Sequence, residues 1–141
     1  KIPVMKPLLP TVDKIVPYMQ EVDKNRWYAN FGPLVMKFEE RMAELFGIEP
    51  AEIISTSSGT ASIVACMRAM NLPQGGLCIC PSWTFAATPA AAMTVGLVPH
   101  FVDVDEKSWV IEPEAVKEQL KYIPGKVACV MPVSAFGYPI D

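Results

Sequence analysis

Residues 77–105 read LCICPSWTFAATPAAAMTVGLVPHFVDVD, and the fold class turns on how that run divides. Residues 77–80 are short and continuously apolar, the pattern of a strand buried on both faces. A helix is predicted over 85–95, with Gly96 behind it as a stop, then a strand over 99–102 and an acidic turn. The same rhythm continues on either side. Upstream, apolar residues at helical spacing (Ile63, Val64, Met67, Met70) predict a helix over 61–70 that ends before Pro73 and the turn Gly75-Gly76. Downstream, a helix is predicted over 113–121 and a strand over 127–133. Short apolar strands alternating with helices specify a mostly parallel sheet with helices on both faces, so the class is α/β.

Before this region, prolines from Pro3 to Pro10 impose an extended arm, and Thr11 is positioned to cap a helix over 12–22 with Ile15, Val16 and Met19 on one face. Residues 27–33, WYANFGP, are too aromatic for an ordinary solvent loop and should touch something. Leu34, Phe38, Met42, Leu45 and Phe46 mark a second helix over 34–46, and Gly47 stands where a left-handed cap belongs. Ile53 and Ile54 read as a short strand leading into Ser55-Thr56-Ser57-Ser58-Gly59-Thr60. No repeat, low-complexity tract or linker divides the chain.

The 141 residues are 51% hydrophobic and carry a net charge of −3 from 15 acidic and 12 basic side chains. That balance has no basic stripe for nucleic acid or an anionic membrane, which leaves small-molecule chemistry or protein contacts. No apolar stretch approaches the roughly 18 to 20 residues of a spanning helix, and the proline-broken start has no signal-peptide core, so a cytoplasmic protein is expected. The cysteines at 66, 78, 80 and 129 lack C-x-x-C spacing and a histidine pair and read as buried reduced thiols. Cys78 and Cys80 would face the same way on a strand, a poor geometry for a mutual disulfide.

Three motifs could carry chemistry. Ser57-Ser58-Gly59-Thr60 sits between an expected strand and a helix. There, unpaired amides, the positive end of the helix dipole, glycine and hydroxyls together would cradle a phosphate. Plain capping by Ser57 or Ser58 is the alternative, and on local sequence alone it is the commoner use of such serines. Neither G-x-G-x-x-G nor G-x-x-x-x-G-K-[ST] occurs, so dinucleotide and P-loop readings lose their main support. Pro81-Ser82-Trp83-Thr84-Phe85-Ala86-Ala87-Thr88 also lies at the carboxyl end of a strand, where open α/β sheets bind ligands. Phe85 is the better placed of its two aromatics to face a flat heteroaromatic ring, while Trp83 is expected to pack elsewhere. Asp103 and Asp105, with no third ligand nearby, read as turn and cap residues, and the single His100 reads as structural.

In sequence order, N-F-G-P (30–33), F-E-E-R-M-A-E-L-F-G (38–47), S-S-G-T-A (57–61), P-S-W-T-F-A-A-T (81–88), G-L-V-P-H-F-V-D-V-D (96–105) and P-V-S-A-F-G-Y-P-I-D (132–141) resemble the DegT/DnrJ/EryC1/StrS sugar aminotransferases. These are fold type I pyridoxal-phosphate enzymes, and the resemblance covers nearly the whole chain. It implies one partial domain over 1–141, with an arm, helix and substrate loop over 1–33 and the start of the cofactor-binding large domain over 34–141.

For the site, the resemblance implies that Ser58, Gly59, Thr60 and Ala61 hold the phosphate of pyridoxal 5'-phosphate and that Phe85 stacks on its ring. Ser134 would lie near the cofactor, at a place where many relatives carry histidine. Asn30, Phe31 and Gly32 would border the substrate, on the same subunit or its partner in a homodimer. The implied reaction moves an amino group, typically from glutamate, to a keto group of a nucleotide-linked sugar. The aspartate that pairs with the pyridine nitrogen and the lysine that anchors the cofactor come later in the family than Asp141, so no catalytic residue is assigned and the 141 residues alone are expected to be inactive. A sugar dehydratase of the same superfamily, with histidine in place of that lysine, and a non-catalytic product retaining a phosphate-binding or dimerisation surface are the alternatives.

Overall fold

The computed structural model describes residues 2–140; Lys1 and the last residue of the 132–141 motif, Asp141, lie outside them. The chain forms two compact units, residues 1–55 and 56–141.

In the first unit, helix α1 (Val12–Asn25) and helix α2 (Pro33–Phe46) carry the expected amphipathic patterns. Asp13 in the first turn of α1 and Lys24 in the last complement its dipole. Thr11 occupies the cap position, but its hydroxyl makes no cap bond; the backbone carbonyl does the work, accepting from Lys14 N–H at 3.0 Å. Tyr18 on α1 accepts a hydrogen bond from Arg41 on α2, 3.3 Å from its hydroxyl. At the end of α2, Gly47 adopts φ 66°, the left-handed conformation its position called for.

The expected strand at Ile53 and Ile54 does not form. Pro50–Glu52 makes a single 3-10 turn, and Ile53 follows with extended backbone but no neighbouring ladder. Extended backbone becomes a strand only when another strand pairs with it. Here the segment is instead tied down by Ser55, whose N–H and hydroxyl both donate to Glu39 Oε1 at 2.7 and 2.8 Å.

The second unit is a three-stranded parallel sheet, as the alternation of elements predicted. Strand β1 (Leu77–Pro81) is central, with β2 (Val98–Val102) on one side and β3 (Val127–Val130) on the other. β1 and β2 pair in register from Leu77 opposite Val98 to Pro81 opposite Val102, while β3 slips once beside Leu77 and Cys78. Cys78, Ile79 and Cys80 are fully buried. Alternation along β1 sends Cys78 and Cys80 to one face, against Met67 of helix α3 (Gly59–Ala69) and Ala91 and Ala92 of helix α4 (Ala87–Thr94). Ile79 points to the other face, with Val102, Ile111 and, from helix α5 (Pro113–Leu120), Ala115 and Val116. Both faces of the central strand are therefore covered.

Boundaries moved where local chemistry intervenes. α4 begins at Ala87 rather than Phe85 because Phe85 C=O accepts Thr88 N–H at 3.0 Å in a tight turn of its own, reinforced by a 2.8 Å bond between the Thr84 and Thr88 hydroxyls. β3 stops at Val130, short of Val133, since Pro132 has no N–H for the ladder.

All four cysteines are free. Cys78 and Cys80 lie side by side with sulfurs 3.7 Å apart, and Cys129 on β3 is half-buried, but Cys66 is exposed on α3, contrary to the expectation of burial. Among the described residues no helix is long and apolar enough to cross a membrane, and no cluster of side chains has the make-up of a metal site.

Candidate functional site

The strand order β2-β1-β3 dictates where a ligand can enter. From β1 the chain crosses to one side, and from β2 it returns past β1 to the other, so the loops leaving the carboxyl ends of β1 and β3 part and open a crevice. A cavity of about 380 Å³ occupies that place. Trp83, Thr84 and Phe85 line it from the β1 side, and Val133, Ser134, Ala135 and Phe136 from the β3 side. The sequence-predicted Phe85 and Ser134, 49 positions apart by their numbers, are thus brought to one cavity.

Phe85 is 79% exposed and offers an open aromatic surface to the crevice. Trp83, expected to pack elsewhere, lines the same cavity, and its ring also meets Trp109 edge to face at 5.3 Å. Trp109 in turn meets Phe136 at 6.1 Å. The Ser134 hydroxyl donates to the carbonyl of Tyr138, which fixes the loop after β3.

The Ser58–Ala61 segment starts α3 and is not among the walls of that cavity. Ser58 caps the helix, its hydroxyl oxygen accepting Ala61 N–H at 3.1 Å. The amides of Gly59 and Thr60, in the first turn, have no helical carbonyl behind them to bond. Both residues are exposed, and a side chain built on Gly59 would meet nothing within 4 Å. Capping and cradling are therefore compatible here: Ser58 uses Ala61 and leaves two amides facing open space.

Asn30, Phe31 and Gly32 make the turn into α2 in the first unit. Asn30 and Phe31 both have positive φ, 53° and 57°, and Gly32 is buried so closely that a Cβ there would lie 3.3 Å from the Trp27 carbonyl oxygen. The aromatic loop thus packs on itself through Trp27.

The acidic turn does structural work. Asp105 Oδ1 accepts from the amides of Lys107 and Ser108 at 2.9 and 2.8 Å and from the Ser108 hydroxyl at 3.0 Å. Those bonds, the Ser108 amide first, hold its carboxyl below the usual carboxylate range. Asp103 accepts from the Ser82 hydroxyl at 3.1 Å. His100 lies within β2, and its Nε2 is buried without a hydrogen-bond partner.

Sequence reasoning passed over Trp109 and Phe136. The signal was present: both are aromatics in loops after strands, the feature that singled out Trp83 and Phe85.

A three-stranded parallel sheet with helices on both faces of its central strand and a crevice at the switch point is an α/β unit of the fold type I aminotransferase kind. The model of the DegT/DnrJ/EryC1/StrS aminotransferase family matches residues 11–141, and the chain belongs to that family. It is 27% identical over 140 residues to the dTDP-4-amino-4,6-dideoxy-D-glucose transaminase of Escherichia coli, a match covering 99% of this chain and 36% of that protein. Among solved structures, a DegT DnrJ EryC1 StrS aminotransferase from Brucella abortus aligns at a TM-score of 0.79 with 27% identity, over 92% of this chain and 35% of that one. NtdA from Bacillus subtilis, with the cofactor PMP bound, aligns at 0.79 with 28% identity, over 92% and 28%. The chain spans about a third of the length of the relatives it matches.

Proposed function

We propose that this chain contributes the phosphate and ring contacts of a pyridoxal-phosphate-dependent aminotransferase that moves an amino group, from glutamate, to a keto group of a nucleotide-linked sugar. The observation that carries the reading is the crevice between β1 and β3, with Phe85 exposed on its wall. The residues present fit the cofactor: an apolar, aromatic-walled cavity suits a flat heteroaromatic ring, and two unspent amides at a helix start suit a phosphate dianion. When bound, the cofactor supplies an electron-accepting ring and the carbon that carries the transferred nitrogen.

The chain's own residues have binding roles. Gly59 and Thr60 donate backbone hydrogen bonds to phosphate oxygens, and the Thr60 hydroxyl adds another. Ser58 orders that turn by capping it, and Ala61 takes part through the cap. Phe85 stacks on the ring and keeps water from one face, and Ser134 and Thr84 supply hydroxyls near the crevice. Asn30, Phe31 and Gly32 border the sugar or amino donor. No residue of this chain is assigned a proton transfer.

A homodimer is part of the reading, supported by the apolar faces left open on α1 and α2, where Ile15, Val16, Met19 and Phe38 are 40–57% exposed. The reaction is assigned to the cytoplasm, where glutamate and nucleotide-linked sugars are available.

The test is amide NMR of the 141-residue chain titrated with inorganic phosphate and with pyridoxamine phosphate. The Gly59 and Thr60 amides should shift with both ligands, and Phe85 and its neighbours with the second alone. Unmoved Gly59 and Thr60 would return the motif to a plain helix cap.

A further inference from the structure

We infer that Trp109 is a positioning residue for the β1–β3 crevice: it does not itself line the cavity, yet it meets a lining ring on each wall. The inference rests on the cofactor reading above and names a residue which that reading does not use.

The walls come from separate loops. Trp83 arrives from the carboxyl end of β1 and Phe136 from that of β3, and each has a large exposed ring, 49% and 88% exposed. Exposed rings on separate loops have rotamer freedom that a preformed site cannot tolerate. Trp109, arriving from the third loop, after β2, meets Trp83 at 5.3 Å and 85° and Phe136 at 6.1 Å and 61°, both edge-to-face geometries. One indole thereby joins the two walls.

Trp109 is itself unusually fixed. Its backbone N–H donates to Asp105 C=O at 2.9 Å, and its Nε1–H to Glu106 C=O at 3.1 Å. Asp105 in turn gathers the Lys107 and Ser108 amides on one carboxylate oxygen. The backbone at Trp109 has φ 61° and that at Phe136 φ 52°, the left-handed region that bulky residues avoid. Two such residues in mutual contact, on loops bordering a cavity, fit strain maintained for a site by the structure around it. A ring held this way transmits the order of the Asp105 turn to both walls of the crevice.

The experiment measures dissociation constants for pyridoxamine phosphate, by equilibrium dialysis, and for inorganic phosphate, by the Gly59 and Thr60 amide shifts. The proteins are the wild-type 141-residue chain and its Trp109→Leu, Trp109→Phe and Asp105→Ala variants, with amide dispersion reporting the fold of each. Losing the two aromatic contacts should weaken pyridoxamine phosphate about fivefold or more in Trp109→Leu. Trp109→Phe, which keeps an aromatic edge, should restore most of that. Asp105→Ala, which keeps every ring but frees the turn, should weaken it in the same direction. Inorganic phosphate affinity should stay unchanged throughout, because Trp109 has no contact with the start of α3.

Wild-type affinity for pyridoxamine phosphate in Trp109→Leu would overturn the inference. So would equal loss of both ligands, which marks a merely structural residue. Should Trp109→Leu fail to fold, unchanged affinity in a folded Asp105→Ala would overturn it equally. Failure of the wild-type chain to bind pyridoxamine phosphate would instead refute the cofactor reading, and the inference with it.

Discussion

Replacing Phe85 with alanine separates a binding role from a packing role, because an exposed ring and a core anchor lose very different amounts of folding stability. Phe85 is 79% exposed, so only about a fifth of its surface is removed from water within the chain. For a ring of about 200 Å², at about 25 cal/mol per Å², truncation should cost at most about 1 kcal/mol of folding stability. A phenylalanine serving as a core anchor would cost about 3–5 kcal/mol. Binding behaves differently: one aromatic stacking contact is worth about 1 kcal/mol, or roughly fivefold in Kd. Urea unfolding and equilibrium dialysis with pyridoxamine phosphate, run on the same protein, read the two quantities independently. A stability loss of about 3 kcal/mol with unchanged affinity would refute the reasoning, since it would make Phe85 part of the core.

Gly96→Ala should destabilise the sheet unit by about 2–3 kcal/mol in urea unfolding, from left-handed strain and a displaced hydrogen bond. Gly96 has φ 84°, and a Cβ there would sit 1.9 Å from Gln74 Oε1, on the side chain whose Nε2 bonds Val95 C=O at 2.9 Å. Iodoacetamide at pH 8 should label Cys66 alone in the folded protein, as mass spectrometry of digests will report. Burial holds the Cys129 thiol up at about 12 and Cys78 is raised further, chiefly by its hydrogen bond with Cys80, while Cys80, whose thiol is lowered, is sealed from reagent. The loop that carries Trp109 should stay ordered down to acid pH. Asp105 has a depressed pKa in the folded state, so its contribution is present above the unfolded value of about 3.9 and is lost only as pH falls through the lower folded one. Disappearance of the Trp109 indole N–H resonance already at pH 5 would contradict this.

Legibility in the sequence followed the range of the forces involved. The 3.6-residue spacing in 34–46 and the apolar run at 77–80 state which face is buried, and the structure places those elements within one or two residues of expectation. Parallel pairing followed from the same runs, because an unbroken apolar strand demands cover on both faces. Ile53 and Ile54 failed for the opposite reason. Two β-branched residues record a backbone preference, but strand formation is a property of a pair of segments, and nothing in a local window says whether a partner is within reach. Turn chemistry explains the shift at Phe85: the Thr84 and Thr88 hydroxyls and the Phe85 carbonyl form their own bonds before α4 starts.

The candidate site was legible in its parts and not in its assembly. Hydroxyls and glycine before a helix announce Ser58–Ala61, and an aromatic after a strand announces Phe85, each from neighbours in sequence. That Phe85 and Ser134 share a cavity depends on the order β2-β1-β3, which no spacing of motifs encodes. What Trp109 contacts was hidden for the same reason, since its partners lie 26 and 27 positions away by their numbers, at Trp83 and Phe136.

The distribution of aromatic rings ties the fold to its use. A sheet this small could have buried its large rings, yet the fully buried positions of β1 are Cys78, Ile79, Cys80 and Pro81, while Trp83, Phe85, Trp109 and Phe136 all lie beyond the carboxyl ends of the strands. Those four rings are 45–88% exposed, and two of them sit on backbone with positive φ. Exposed apolar area and left-handed bulky residues each cost stability within these residues. A flat, partly apolar ligand reverses the balance: it covers the rings, recovers the hydrophobic free energy that the isolated loops forgo, and finds them already oriented. The order of β1, β2 and β3 sets where the loops converge, the small side chains of β1 leave four aromatic rings at that edge, and the proposed recognition of a planar ring would use both arrangements.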